Sequence, residues 1–339
     1  MRRIERTLLG LLRDPPQSPK TPLDCVALHE LFDLAHMHGV LPIVVDRITE
    51  GQADGEISAD AEKVLHRAIA DMSVGAGRCM LLSAEVDRAI DALADAGIDG
   101  VVLKGPDFAK RLYARPQLRP FRDVDVLVAP QDFQPGCDAL TAAGYKTVDS
   151  EMKYSRGYGQ RGFVGQAGSV ELHWNVVNSP TLRKAVSVEL DDLQLDSDGR
   201  PTPAACVLLA CVHAACGHQF DRIQGLCDIA GLCAGRAGTL DTDYLVDVIP
   251  RTGADLAMAT ALRLAGQTLT EPSCERLRRE LGLREPAAAR AIIRPKTVLR
   301  STGRVGSLFR QLYRELIKRG GGRRNRPALE AREKTCEAC

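Results

Sequence analysis

The stretch Asp123-Val124-Asp125-Val126-Leu127-Val128 decides the reading of this chain. Its period of two belongs to a β-strand, whose successive side chains point to opposite faces. Both carboxylates then share one face, and Val124 and Val126 share the other. Two acids so placed repel each other unless a cation lies between them, and hard divalent cations take oxygen ligands. The pattern equally suits a strand end that reaches solvent, so the flanking sequence has to discriminate.

Towards the N-terminus, Val101-Val102-Leu103 reads as a short β run ending in Lys104-Gly105-Pro106, followed by a helix over 107–113. This places an ammonium and free amides at a strand-to-helix turn, where a phosphate can dock. Arg115, Arg119 and Arg122 lie just before the acidic pair, and guanidinium forks match phosphate oxygens. Towards the C-terminus, a helix over 133–143 is closed by Gly144. Strands over 153–164 and 169–176 are then joined by the turn Gly165-Gln166-Ala167-Gly168. In Ser169-Val170-Glu171-Leu172-His173-Trp174, Glu171 and His173 share one face, so a carboxylate on a neighbouring strand could complete a three-acid metal site. Taken singly, each feature is also an ordinary turn lysine, a solvated loop arginine or an edge-strand glutamate.

Helical patterns lie on both sides of this α/β centre, which covers about 80 residues. Asp24 is an N-cap for a helix through His36, Gly39 closes it, and Pro42 opens a short helix. A polar turn occupies 52–57. The pattern over 59–96 is helical throughout, with Gly75 and Gly77 as candidate interruptions and Gly97 as terminator. Beyond Pro201, helical segments fall at 204–216, 223–234, 244–249, 256–269 and 274–281.

Of the 339 residues, 45% are hydrophobic and 26% charged, a globular balance that excludes whole-chain disorder. Aromatics are only 4%, so the core is expected to be Ala, Leu and Val. The longest apolar runs, such as 204–215, fall short of the roughly 20 residues that span a membrane. The apolar stretch 8–12 is too short for a secretory signal core, so a cytoplasmic location is expected. The 45 Lys and Arg nearly balance the 44 Asp and Glu. Over 294–326, however, eleven basic residues face the single acid Glu315. Such a block is a solvated tail or a contact for an anionic partner. Its only aromatics, Phe309 and Tyr313, argue against base stacking. The eleven cysteines are expected as reduced thiols. Cys206, Cys211 and Cys216 scatter around a helix, and the one Cys-x-x-Cys, Cys336 to Cys339, has no partner pair, so no zinc site is expected.

Several of these residues together resemble the uncharacterised nucleotidyltransferase family of the polymerase-beta-like superfamily. They are Leu103-Lys104-Gly105, Leu112-Tyr113, Arg119, the 123–128 run, Leu140, Gly144-Tyr145 and Val170-Glu171-Leu172-His173-Trp174. Outside the centre, Ala35-His36-Met37-His38-Gly39-Val40-Leu41-Pro42, His213 and Leu226-Cys227-Asp228-Ile229 extend the resemblance to about 25–270.

The resemblance implies an α+β fold: a small mixed β-sheet nucleotidyltransferase core (98–180) between N-terminal helices (1–97) and a C-terminal helical domain (181–285). The basic segment 286–339 would be a flexible tail. It also implies a Mg²⁺- or Mn²⁺-dependent transfer of a nucleoside monophosphate from an NTP to an acceptor. Asp123, Asp125 and Glu171 would hold the metal, Lys104, Gly105, Arg119 and Arg122 would bind the nucleotide, and His173, His213 and Asp228 would lie on the acceptor side. The acceptor stays open among small molecules, peptides, proteins and RNA. The chain departs from the superfamily pattern in two ways: Pro106 stands where a serine is usual, and seventeen residues separate Gly105 from Asp123. Both favour an alternative, a non-catalytic nucleotide-binding or regulatory module that kept the fold.

Overall fold

A computed structural model describes residues 1–17, 19, 23–51, 59–148, 157–300 and 304–320. Part of the Pro-rich linker near Pro22, the polar turn at 52–57, the start of the 153–164 strand and the Cys336–Cys339 pair lie outside the described residues.

The N-terminal part is helical: α1 (Arg3–Leu12), α2 (Cys25–Met37), α3 (Leu41–Gly51) and α4 (Ala59–Asp95). Asp24 caps α2 as expected, its Oδ1 accepting from the Ala27 amide at 2.8 Å. Helix α4 runs unbroken through Gly75 and Gly77, where an added Cβ would meet nothing within 4 Å. A glycine costs a helix interior only ~1 kcal/mol. That is small beside two buried stripes on the same helix, Ala61, Leu65 and Ala68 towards one end and Leu82, Val86, Ala89 and Leu93 towards the other.

The centre is a mixed five-stranded sheet of order β1-β2-β5-β4-β3. Its strands are β1 (Val101–Val102), β2 (Asp123–Leu127), β3 (Lys146–Thr147), β4 (Gln160–Val164) and β5 (Ser169–His173). Strand β2 pairs in parallel with β5, setting Asp125 opposite Glu171 and Leu127 opposite His173, and antiparallel with β1. Val124, Val126, Val128, Val170 and Leu172 bury one face against α4 and α6 (Phe133–Ala142). The alternation read from the sequence therefore holds, and the acids lie on the other face. The turn between β4 and β5 needs its glycines. A Cβ on Gly165 would strike Glu85 and one on Gly168 would strike Leu82, both on α4.

Between β1 and β2 runs α5 (Pro106–Leu112). The C-terminal part comprises α7 (Pro180–Arg183), α8 (Pro203–Val212), α9 (Ile223–Cys233), α10 (Thr242–Thr252), α11 (Asp255–Leu269) and α12 (Pro272–Glu280). The segment expected as one helix over 204–216 changes character at its end, where His213–Gly217 form a π-helical turn. The basic segment expected as a flexible tail folds in part as α13 (Ala287–Ile292), α14 (Pro295–Leu299) and α15 (Arg304–Gly320). Val298, Leu299, Tyr313 and Ile317 from it are buried in the helical core. An apolar stripe at helical spacing outweighs the charge that dominates its composition. No described helix is long and apolar enough to cross a membrane.

Candidate active site

Strand β1 delivers Leu103, whose amide donates to the Asp125 carbonyl at 3.0 Å. Lys104 therefore emerges beside the β2 acids, and Gly105 turns the chain into α5 with φ 66° and ψ −113°. That backbone conformation is open to glycine and strained for other residues.

Asp125 is the hub. The Lys104 ammonium lies 3.0 Å from one of its oxygens. The His173 ring Nε2 lies 3.0 Å from the other and 3.6 Å from Glu171. Burial pulls the Asp125 carboxyl up, but Lys104 and His173 outweigh it and hold it well below the usual carboxylate range. Burial also works against a charged His173, yet the two carboxylates raise its pKa to about 9. A ring protonated between two acids is not a free base. His213, from the π-helical turn, meets Lys104 with Nε2 at 2.6 Å. Burial, and then the Lys104 charge, pushes the His213 pKa well below its ordinary value, so the neutral ring accepts a hydrogen bond from the ammonium.

Asp123 lies half-buried on the same face, and among the described residues no hydrogen bond or ion pair engages its carboxylate. Burial, and then the Asp125 charge, push its pKa up. The two carboxylates on this strand face therefore repel each other. Ligand atoms of Asp125, Glu171 and His173 lie within 4.8 Å of one another. The sequence reading grouped Asp123, Asp125 and Glu171; the structure inserts His173 between the last two. Glu171 also accepts from the Gln160 amide at 2.9 Å.

Arg119 and Asp228 were expected at the nucleotide and acceptor ends, and the structure pairs them with each other. Nε and Nη2 of the buried Arg119 donate to the two Asp228 oxygens at 2.9 and 2.7 Å, and Nη1 donates to the Gly105 carbonyl at 3.3 Å. The Tyr113 hydroxyl donates to Asp228 at 2.7 Å. The Gly105 turn is thereby fastened to helix α9. Arg122 is exposed at the rim.

Apart from Tyr113, Gln160 and Glu171, these residues line a cleft of about 1080 Å³, walled by α4 on one side and by the 213–225 segment and α15 on another. His173 reaches this wall together with Lys104, Asp123 and Asp125. Also lining the cleft are His218, Arg222 and Arg310. Arg222 and Arg310 were not singled out from the sequence, the first because it sits in an unremarkable loop and the second because it lies in a block legible only as charge.

The nine described cysteines are all free thiols. No curated protein and no solved structure matches the chain significantly. A family model matches residues 24–270, which include the Lys104 turn, both β2 acids, Glu171, His173, His213 and Asp228. The chain belongs to that family, described as uncharacterised nucleotidyltransferases.

Proposed function

We propose that this protein is a Mg²⁺- or Mn²⁺-dependent enzyme that moves a nucleoside monophosphate from an NTP to an acceptor. The observation that carries the reading is the acidic face of β2 and β5. There the half-buried Asp123, which has no hydrogen bond or ion pair among the described residues, stands beside Asp125, whose ligand atoms lie within 4.8 Å of those of Glu171 and His173. The donor chemistry fits: carboxylates suit a hard divalent cation, and the unrelieved repulsion at Asp123 is what such a cation removes.

Asp123 and Asp125, with Glu171 and His173 beside them, would hold the cation. When bound it would neutralise phosphate charge and stabilise an in-line displacement at phosphorus. The chain's own residues supply the rest. Lys104 is a positive charge within reach of the acids and of the cleft, suited to the triphosphate once it leaves Asp125. His213 receives its proton-bearing end and limits where it points. The Arg119–Asp228 clamp holds the Gly105 turn so that Lys104 starts from a fixed place. Arg122 at the rim adds a guanidinium for phosphate oxygens.

The test is thermal unfolding with each NTP, with and without Mg²⁺, followed by transfer of label from the NTP that binds. Metal and nucleotide together should stabilise the wild type more than either does alone, and Asp125→Asn should lose that added response and the transfer. Stabilisation and turnover that survive in Asp125→Asn would reject the reading. A second reading, a nucleotide-binding module without chemistry, is favoured by Pro106, which removes an amide donor from the first turn of α5. It predicts the same binding with no labelled product.

A further inference from the structure

We infer that the end of the cleft formed by His218, Arg222 and Arg310 is the acceptor subsite, and that it takes a small acceptor carrying a phosphate or carboxylate group. The inference rests on the nucleotidyl-transfer reading and adds the acceptor's chemistry to it.

Size is the first argument. A cleft of about 1080 Å³ lies above the ~300–1000 Å³ typical of a pocket for one drug-sized ligand. One end, with Lys104 and the β2 acids, serves the nucleotide. The remaining space therefore has room for a second substrate.

Charge is the second. Arg222 and Arg310 both line this end, and His218 lies 3.7 Å from Asp221 through its Nδ1. Burial opposes the Asp221 charge, but His218, followed by Arg222 and Arg310, brings its pKa down. Of the Asp, Glu, Lys and Arg residues that 218–222 and α15 bring to the cleft, two are arginines and one is a carboxylate, Asp221. Guanidinium forks bind phosphate and carboxylate in bidentate fashion.

The third argument is that the end is built, and built next to the reacting centre. Gln219 and Phe220 both adopt positive φ, 47° and 59°, immediately after the π-helical turn. Non-glycine residues pay for that geometry only where the surroundings impose it. Here Phe220 is buried with its ring 5.5 Å from that of Tyr313 on α15, and Tyr313 is itself fully buried. The contact locks the 218–222 turn to α15 and presents Arg310, one helical turn before Tyr313, to the cleft. The His218 ring in turn lies 4.7 Å from the His213 ring, which holds Lys104. An acceptor anchored at Arg222 and Arg310 would thus lie alongside the nucleotide's phosphates. Helix α15 lies beyond residue 270, where the family match ends. This chain therefore completes the subsite with a residue from outside the shared family segment.

The experiment titrates the full chain with inorganic phosphate in one arm and succinate in another, each with and without saturating Mg²⁺ and a non-hydrolysable NTP, followed by calorimetry. At least one anion should bind the wild type, and the stronger of the two identifies the group. Arg222→Ala/Arg310→Ala should weaken that binding by at least ~10-fold, as loss of charge-assisted hydrogen bonds demands. Its Mg²⁺·NTP affinity should stay within ~2-fold of wild type, whereas Lys104→Ala should lower that affinity. Arg310→Gln, which keeps the side chain's length, should show the same anion defect with an unchanged melting temperature. Equal anion binding in wild type and the double variant would overturn the inference. So would an Arg310→Gln defect in Mg²⁺·NTP affinity as large as that of Lys104→Ala, which would assign Arg310 to the triphosphate. Binding of a single-stranded RNA through Arg310 with no binding of either anion would overturn it in favour of a polymeric acceptor. Failure of every NTP to bind would sink the nucleotidyl-transfer reading, while the anion arms without nucleotide would still report on this end of the cleft.

Discussion

Replacing Lys104 by Met removes the cation that stands closest to Asp125, and the structure sets the size of the effect. The ammonium is 3.0 Å from a carboxylate that is 4% exposed. Deleting one partner of a buried ion pair costs about 3–5 kcal/mol, because the other charge is left uncompensated. Here the protonated His173 still holds the second Asp125 oxygen at 3.0 Å, so roughly half of that loss, ~2 kcal/mol, is expected. In EDTA the Tm should fall by about 4 °C, taking ~2 °C per kcal/mol for a chain of this size. The same arithmetic acts in reverse on metal binding. In the wild type an entering cation must displace Lys104 from Asp125, and in Lys104→Met that competitor is gone. A relief of ~2 kcal/mol tightens Mn²⁺ binding by roughly 30-fold. At a Mn²⁺ concentration equal to the wild-type Kd, the wild type gains ~0.4 kcal/mol and the variant ~2 kcal/mol. The variant's deficit should therefore shrink to about 0.4 kcal/mol as Mn²⁺ is added. Scanning calorimetry across a Mn²⁺ series, with Ca²⁺-free EDTA as the zero point, reads this directly. A variant as stable as wild type in EDTA, or a deficit that stays constant at every Mn²⁺ concentration, would refute the idea that Lys104 stands in for the cation.

Asp123→Asn should raise metal-free stability by about 0.5 kcal/mol, the scale of a relieved like-charge pair. It should also weaken Mn²⁺ binding by at least about tenfold; an unchanged Mn²⁺ isotherm would remove Asp123 from the metal set. Arg119→Ala should cost about 3–5 kcal/mol in urea denaturation, because Asp228 is left buried without its partner, and Arg119→Met/Asp228→Leu should recover most of it. A loss below ~1 kcal/mol would mean that water replaces the clamp. The His173 pKa, raised from 6.5 to about 9 in the folded protein, makes a stabilising contribution that is complete below pH 6.5 and lost as pH rises through 9. Metal-free wild type should lose about 3 kcal/mol between these limits, and His173→Gln should show a flat profile there.

Much of the site was legible because it rests on periodicity. Asp123 and Asp125 had to share a face opposite Val124 and Val126, and Glu171 followed from the same rule one strand away. Asp24, Gly39 and Gly97 marked helix ends through capping chemistry that acts within a few residues. What escaped the sequence depends on contacts between distant segments. Nothing local pairs Arg119 with Asp228, 109 residues apart, or brings Lys104 to His213. Their types suggested phosphate and acceptor contacts, yet both members of the first pair are spent on each other. His173 carried two roles on one strand face, and only the parallel register of β2 and β5 shows it between two acids. The short β3 has two exposed residues and no alternation to read. In α15 the eye follows the charges, whereas folding follows Tyr313 and Ile317.

Helix α4 is 37 residues long, about 55 Å at 1.5 Å per residue, and it belongs to both apolar cores. Ala61, Leu65 and Ala68 sit in the helical core, while Leu82, Val86, Ala89 and Leu93 sit under the sheet. Between them the helix borders the cleft around Gly75 and carries no buried stripe that could absorb an error. One residue inserted there would turn the second stripe by about 100° relative to the first and advance it by about 1.5 Å. Either the sheet or the N-terminal helices would then face α4 with the wrong side. Related sequences should therefore keep a fixed count from Ala68 to Leu82. In this part of the chain, spacing is inherited more strictly than identity.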